Sequence, residues 1–479
     1  MPRVPVFISG SAALALAASA WSGVLPGGAP WPRFEADNGA LGADGVRFGD
    51  LNNDGRPDLI TAWEFSGQVR IALNPGGCAA TTTWPTGVVA LVPQCEDSFA
   101  ADLDGDGRQD LFTCSEQLNR SVYVHWAPAT DAELLNTNSW TTQRFPQVPL
   151  RFWMYAAAAQ IDGEHGPDVF ISSKSDSAQG LVEIAYLQAP ANARQLSQWT
   201  FHVIGLAGWA TALIAHDMDG DGDVDLVVFD RQGPERGVRW LEHPGVDQLA
   251  LDLPWMSHRV SSLMPATIGS MGDIDGDGLL DIVSPFRPDG LWWFERLDNS
   301  GLKWEAHQVN IPTNVGIPKG ASAGDMNLDG QVDIVVSFAE ASDGARGVAL
   351  LQNPGNPISS LWPPYDISGP DGEKFDAVPL LDVDGDGDLD VVATDEHDNT
   401  GGDALGLVWY QNRAIQLTLD LDDDGFVGFG DLILVLDEFG QSGHGLSADV
   451  TGDGFVDFND LNLILGYYGQ SASTIGCSG

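Results

Sequence analysis

Carboxylates recur along this chain at a spacing that suits a hard metal cation. The stretch "DMDGDGDVD" puts Asp217, Asp219, Asp221 and Asp225 at positions one, three, five and nine of a short loop, with Gly222 at six. Oxygen side chains at odd positions around a glycine turn are how a loop wraps Ca²⁺, with the backbone carbonyl at seven joining them. Without a cation these charges would repel one another strongly. The pattern returns at Asp50, Asn52, Asp54 and Asp58, at Asp102, Asp104, Asp106 and Asp110, and at Asp273, Asp275, Asp277 and Asp281. It returns again at Asp325, Asn327, Asp329 and Asp333, and at Asp382, Asp384, Asp386 and Asp390. A further copy, "QIDGEHGPD", has Gln160 for the first Asp, Glu164 for the third and His165 for the glycine. Charge is lost and the turn is strained there, so it is expected to bind poorly or not at all.

Something must hold each loop, and the flanking residues say what. After Asp225 comes "LVVF", β-branched and apolar, which favours a strand over the exit helix of an EF-hand. The loops start at 50, 102, 160, 217, 273, 325 and 382, a steady period that marks an internal repeat. Each unit carries two further echoes. One is an aromatic strand, as in "GVRWLEHPG" (237–245), "GLWWFERLDNSG" (290–301), "GVALLQNPG" (347–355) and "GLVWYQN" (406–412). The other is a W-x-x-H pair, Trp199/His202, Trp255/His258 and Trp304/His307, weakening to Trp362/Tyr365. Those histidines recur with the repeat and read as packing groups. Four strands per unit and seven units predict a mainly β, seven-bladed propeller, in which repetition protects the sheet edges. The last unit lacks its Trp strand, while "PWPRFEAD" (30–37) precedes the first loop. The N-terminal strand is therefore expected to complete blade seven and close the ring.

These residues resemble the FG-GAP/VCBS-type calcium-loop propellers, including the integrin α-subunit head, over residues 31–413. The resemblance implies about six Ca²⁺ ions in the propeller and a family that includes adhesins, lectins and sugar-active enzymes. Fold alone does not choose among them.

Beyond "YQNRAIQ" the pattern changes. "DLDDDGFVGFGD" offers Asp420, Asp422, Asp424 and Asp431 at positions one, three, five and twelve, and "DVTGDGFVDFND" offers Asp449, Thr451, Asp453 and Asp460. Hydrophobic residues at helical spacing follow each loop, which predicts a small α-helical domain over 414–470, with a tail at 471–479. The pair resembles a type I dockerin, which implies two more Ca²⁺ ions and docking onto a cohesin-like scaffold partner. Phe429-Gly430 and Phe458-Asn459 stand where that family carries a Ser/Thr recognition pair. A self-paired calcium module that merely caps the chain is the alternative.

Composition agrees with this picture. The net charge is −46, and the seven propeller loops hold 27 of the 68 acidic residues. Such a charge disfavours nucleic acid and anionic membrane. Arg3, an apolar run and the small residues "ASA" (18–20) read as a signal peptide over 1–20, hence secretion, and no transmembrane anchor is expected. Of the four cysteines, Cys78, Cys95 and Cys114 fall in the first two units, and one disulfide among them is expected, most simply Cys78–Cys95.

The ligand surface should lie opposite the calcium loops, where residues differ from unit to unit. The strand ends there carry "RFWMY" (151–155), "GW" (208–209), "PK" (318–319) and "KF" (374–375), with "WE", "SE", "DR", "FR", "AE" and "DEH" on the neighbouring strands. Trp153, Tyr155, Trp209, Arg231, Arg287, Lys319, Lys374 and His397 are expected to line a depression near the axis, as a sugar site requires. Three functions follow. A non-catalytic module binding carbohydrate or an extracellular protein leads; a polysaccharide or sugar lyase and a purely structural part of an assembly are the alternatives. No nucleophile elbow, phosphate loop or zinc motif is present.

Overall fold

The computed structural model describes residues 30–469 except 118, 263, 289, 342–343, 359–360, 397–403, 415–418, 423–425, 443–445, 447 and 451–454, and the side chain of Cys78. The expected signal peptide and C-terminal tail, with Cys477, lie outside the described residues.

Seven four-stranded antiparallel sheets form the body of the protein. In blades 1 to 6 the strands pair in sequence order; blade 1, for example, runs Ala43–Gly49, Asp58–Trp63, Gln68–Ala72 and Thr86–Leu91. Blade 7 is built from both ends of the ring. Strands Leu380–Leu381, Asp390–Asp395 and Gly406–Tyr410 accept Arg33–Asp37 as their outer strand, with Phe34 opposite Trp409. The expected closure is present. First strands of neighbouring blades touch one another around a central axis.

Every second strand is buried along its length, which is why these read as apolar runs: "LITAW", "LVVF", "IVVSFA". Their side chains fill seven separate cores, each lying between two adjacent blades. Phe112, Phe145, Trp153, Ile171 and Trp199 pack between blades 2 and 3; Ile282, Trp240 and Phe294 do so between blades 4 and 5. At about 1.5–3 kcal/mol for each large apolar side chain buried, these cores outweigh the exposed ion pairs, worth about 0–1 kcal/mol each. The recurring histidines join this packing: His258 stacks on Trp240 at 4.3 Å and His307 on Trp293 at 4.5 Å.

A second device stitches the blades and was not evident from sequence. A residue at or just past the end of each third strand donates its backbone N–H to the position-nine Asp of its own blade, and in five blades its side chain reaches back one blade. Asn74 bonds the Val383 carbonyl at 2.8 Å, His243 that of Ile161 at 3.1 Å, Asn353 that of Ile274 at 3.0 Å and Asn412 that of Met326 at 2.6 Å; Arg296 does the same to Met218. The target is always position two of the preceding loop. Blades 2 and 3 carry Ala127 and Ala189 at this place and have no such clasp.

The expected Cys78–Cys95 bridge is not formed. Cys95 is a buried thiol that opens the first strand of blade 2 and donates to the Gln68 carbonyl at 3.4 Å, and Cys114 is a second buried free thiol. Beyond the ring, helices Phe429–Glu438 and Phe458–Gly466 pack around Val435, Val456 and Ile464 as a small separate core. Asp431 and Asp460, at position twelve, cap these helices by accepting the N–H of Gly428 at 2.6 Å and Asp457 at 2.7 Å. Asp424, Thr451 and Asp453 lie outside the described residues. Among the described residues no helix is long and apolar enough to cross a membrane.

Candidate calcium loops and axial mouth

Each propeller loop is folded by its own carboxylates. The position-one Asp accepts the N–H of the position-six glycine at 2.9–3.1 Å in all six full copies. The position-five Asp accepts the position-seven N–H at 2.8–3.1 Å, turning the seventh residue back toward the loop centre. Only a glycine adopts this turn freely: Gly222 has φ 96° and Gly387 φ 99°. The position-nine Asp opens the second strand, fully buried, and its two oxygens accept the position-two N–H and the N–H just past the third strand. In blades 2 and 4, oxygens of positions one, three and nine come within 4.8 Å of one another, as a shared cation requires.

Whether the residues fit Ca²⁺ is decided best in blade 7. Asp384 and Asp386 are only 4% and 5% exposed, yet one oxygen of each has no hydrogen-bond partner among the described residues. Burying an unpaired carboxylate is costly, and a cation between the two removes that cost. Burial, with Asp388 and Asp384 nearby, pushes Asp386 up to about 9. Burial likewise pushes Asp58 up to about 6 and Asp110, Asp225 and Asp281 up to about 7. A bound Ca²⁺ would supply the positive charge that lets these groups ionise. The donor set is all oxygen, which suits it. In blade 2, Arg194 reaches across from blade 3 onto Asp104 and Asp106.

The degenerate loop shows why it differs. The Gln160 amide donates to the carbonyls of Glu164 and Gly166, each at 3.2 Å, and Gly166 is the seventh residue whose carbonyl would face a metal. Gln160 thus puts an N–H where the other loops would put a cation, while Gln188 donates to Asp162 at 2.5 Å and His165 sits at φ 57°. Gln160→Asp combined with His165→Gly is expected to add one Ca²⁺ per chain; an unchanged metal stoichiometry by mass spectrometry or calorimetry would refute this account.

On the opposite face, one position per blade points to the axis. Six residues beyond each position-nine Asp stand Glu64, Glu116, Lys174, Arg231, Arg287, Ala339 (with Glu340 next) and Glu396. Neighbours in this ring touch. Gln117 bridges Glu64 and Glu116; Lys174 pairs with Glu116 at 2.7 Å; Lys174 and Arg231 lie 4.3 and 4.4 Å from the centre of the Trp209 ring. Arg287 pairs with Glu340 at 3.0 Å, Lys319 with Asp376, and Lys374 with Glu396. The chain has four lysines, and three of them are here, each beside a carboxylate. Asp230 sets Trp209 by accepting its N–H at 2.9 Å, and Asp395 sets Lys374 in the same way at 2.9 Å.

Of the residues expected here, Trp209, Arg231, Arg287, Lys319 and Lys374 do come together. Tyr155 lies deeper, its ring 5.4 Å from the Arg47 guanidinium, which Asp97 holds at 2.9 Å. Trp153 does not belong. It is wholly buried in the core between blades 2 and 3, with its indole N–H on the Pro149 carbonyl at 3.0 Å. A bulge between Trp153 and Tyr155 turns the two to different sides. His397 lies outside the described residues. Sequence reading passed over Lys174, Glu96, Asp44 and Asp376, and quoted Glu64 within a strand end without singling it out; counting six from each position-nine Asp would have found Lys174 and Glu64.

A family model described as FG-GAP-like repeat matches residues 50–113 and 273–336. Those two stretches carry FG-GAP-like repeats. No curated protein matches it. Among solved structures, one titled "BBS1N in complex with ARL6DN, soaked with mercury" is similar with 10% identity and TM-score 0.44, over 80% of this chain and 97% of that one. YCF48 from Cyanidioschyzon merolae is similar with 11% identity and TM-score 0.45, over 79% of this chain and 98% of that one.

Proposed function

We propose that this FG-GAP-repeat propeller is a secreted, calcium-stapled binding module that holds carbohydrate or an extracellular protein at its axial mouth. The observation that carries this reading is the ring of charged side chains, one from nearly every blade, converging opposite the metal loops. That division lets the loops fix the scaffold while the other face varies, and binding groups on such rigid supports lose little entropy. The C-terminal helices would tether the propeller to a cohesin-like scaffold. Phe429 and Phe458, 66% and 67% exposed at position ten of the two loops, offer an apolar docking face.

A lyase is the second reading, favoured by one feature. One carboxyl oxygen each of Asp44, Asp376 and Glu396 lies within 4.8 Å of the others. Burial and the neighbouring acids push Asp44 well up; burial opposes ionisation of Asp376 too, but Lys319 holds it below the usual range. Carboxyls driven apart in this way can divide acid and base roles. A glycan-array screen with and without Ca²⁺, repeated with Arg231→Gln, tests the binding module. Calcium-dependent binding that the variant loses is expected, and depolymerisation of acidic polysaccharides would move the assignment to the lyase.

A further inference from the structure

The ring at the axial mouth is polar in a particular direction. Blades 7, 1 and 2 contribute Glu396, Glu64 and Glu116, whereas blades 3, 4 and 5 contribute Lys174, Arg231 and Arg287. Much of this charge is already neutralised, because all three lysines pair with a carboxylate and Arg287 pairs with Glu340. What remains is decisive. In blade 4, the Arg231 guanidinium makes no ion pair or hydrogen bond among the described residues; it stacks on Trp209 and faces the like charge of Arg287. In blades 1 and 2, Glu64 accepts from Gln117 at 3.3 Å, and neither Glu64 nor Glu96 makes an ion pair among the described residues, because the lysines near them, Lys174 and Lys374, pair with Glu116 and Glu396. One oxygen each of Glu64, Glu96 and Glu116 lies within a 4.8 Å cluster.

We propose that the axial mouth binds a dipolar ligand, with its carboxylate on Arg231 and Arg287 and its ammonium on Glu64 and Glu96. This deepens the binding-module reading and rests on it. Lys174 pairs with Glu116 at 2.7 Å and shares the Trp209 ring with Arg231, so the acidic and basic arcs of the mouth meet side by side and one small molecule can touch both. Burial and mutual repulsion raise Glu64 to about 7 and lower the Arg231 pKa, and a ligand of opposite charge at each end relieves both. A neutral sugar gains little here. The Trp209 ring already carries two cations, and Tyr155 is engaged with Arg47, so neither aromatic ring is free as a platform. The chemistry demanded is a carboxylate and an ammonium on one molecule, whether an amino acid, a peptide or an amino-uronic sugar.

The test uses the full chain saturated with Ca²⁺ and isothermal titration. The probes are glycine, 4-aminobutyrate, 6-aminohexanoate and 2-amino-2-deoxygalacturonate, with hexanoate and butylamine as single-charge controls. At least one dipolar probe is expected to bind about tenfold or more tighter than either control, the effect of losing one charge-assisted hydrogen bond. Arg231→Gln and Glu64→Gln are each expected to abolish that advantage while Ca²⁺ stoichiometry and melting temperature stay unchanged. The amino acid and sugar arms tell the two sources apart. Hexanoate or butylamine binding as well as the dipolar probes, or no dipolar probe binding at all, overturns the proposal. If glycan-array ligands still bind and Arg231→Gln removes them, the binding module stands without its dipolar ligand; if Arg231→Gln leaves them bound, the axial placement itself fails.

Discussion

Excess chelator is expected to lower the melting temperature of the protein by about 20 °C. A site held at a hundredfold excess over its Kd contributes about 2.7 kcal/mol, and roughly six such sites on one ring sum to the order of 15 kcal/mol. The pH dependence should also change sign. Burial raises Asp58 to about 6 and Asp110, Asp225 and Asp281 to about 7, whereas the same groups titrate near 4 in an unfolded chain. Without metal, the fold holds the extra protons between roughly pH 4 and 7, so stability falls as pH rises through that window. In chelator the protein should therefore melt higher at pH 5.5 than at pH 8. With Ca²⁺ the order reverses, because metal and protons compete for the same oxygens. Differential scanning calorimetry in the four conditions reads this directly, and melting curves indifferent to chelator would remove calcium from the account.

The second large effect concerns ring closure. Asp37, on the strand that closes blade 7, holds Arg70 of blade 1 through two bonds of 2.6 and 3.0 Å, and the two side chains are 4% and 10% exposed. Asp37→Ala leaves a buried guanidinium unpaired and should cost about 3–5 kcal/mol, while Asp37→Ala with Arg70→Met should cost much less. Urea denaturation of both variants is the measurement. Equal losses in the single and double variants would show that the ion pair is not what latches the ring.

The repeat and its closure were legible because the loop spells them out. A glycine at six and carboxylates at odd positions have few other uses, and a spare strand before the first loop needs a partner. The axial residues were only half legible. Strand alternation put Trp153 beside Tyr155, but a bulge between them breaks the period of two and sends the indole into a core. The inter-blade clasp was hidden for a different reason. Asn74, His243, Arg296, Asn353 and Asn412 perform one task with three chemistries, so the eye searching for identical residues passes over them. Cys95 looked like half of a bridge because it sits close in sequence to Cys78, although its strand aims it inward.

The strand donated to blade 7 also bears on where the chain begins. Gln411 donates to the Pro32 carbonyl at 2.9 Å, so the first and last residues of the ring are already neighbours. A short peptide joining them would close a true circle, and the closure entropy of such a linker grows only slowly with its length. New ends could then be opened in another exposed connection, such as that between the third and fourth strands of blade 3. The order of blades along the chain would rotate, but every strand would keep its neighbours. Circular permutation should thus be tolerated wherever a cut spares an acidic loop and a clasp, and folding rate more than final stability should record where the cut was made.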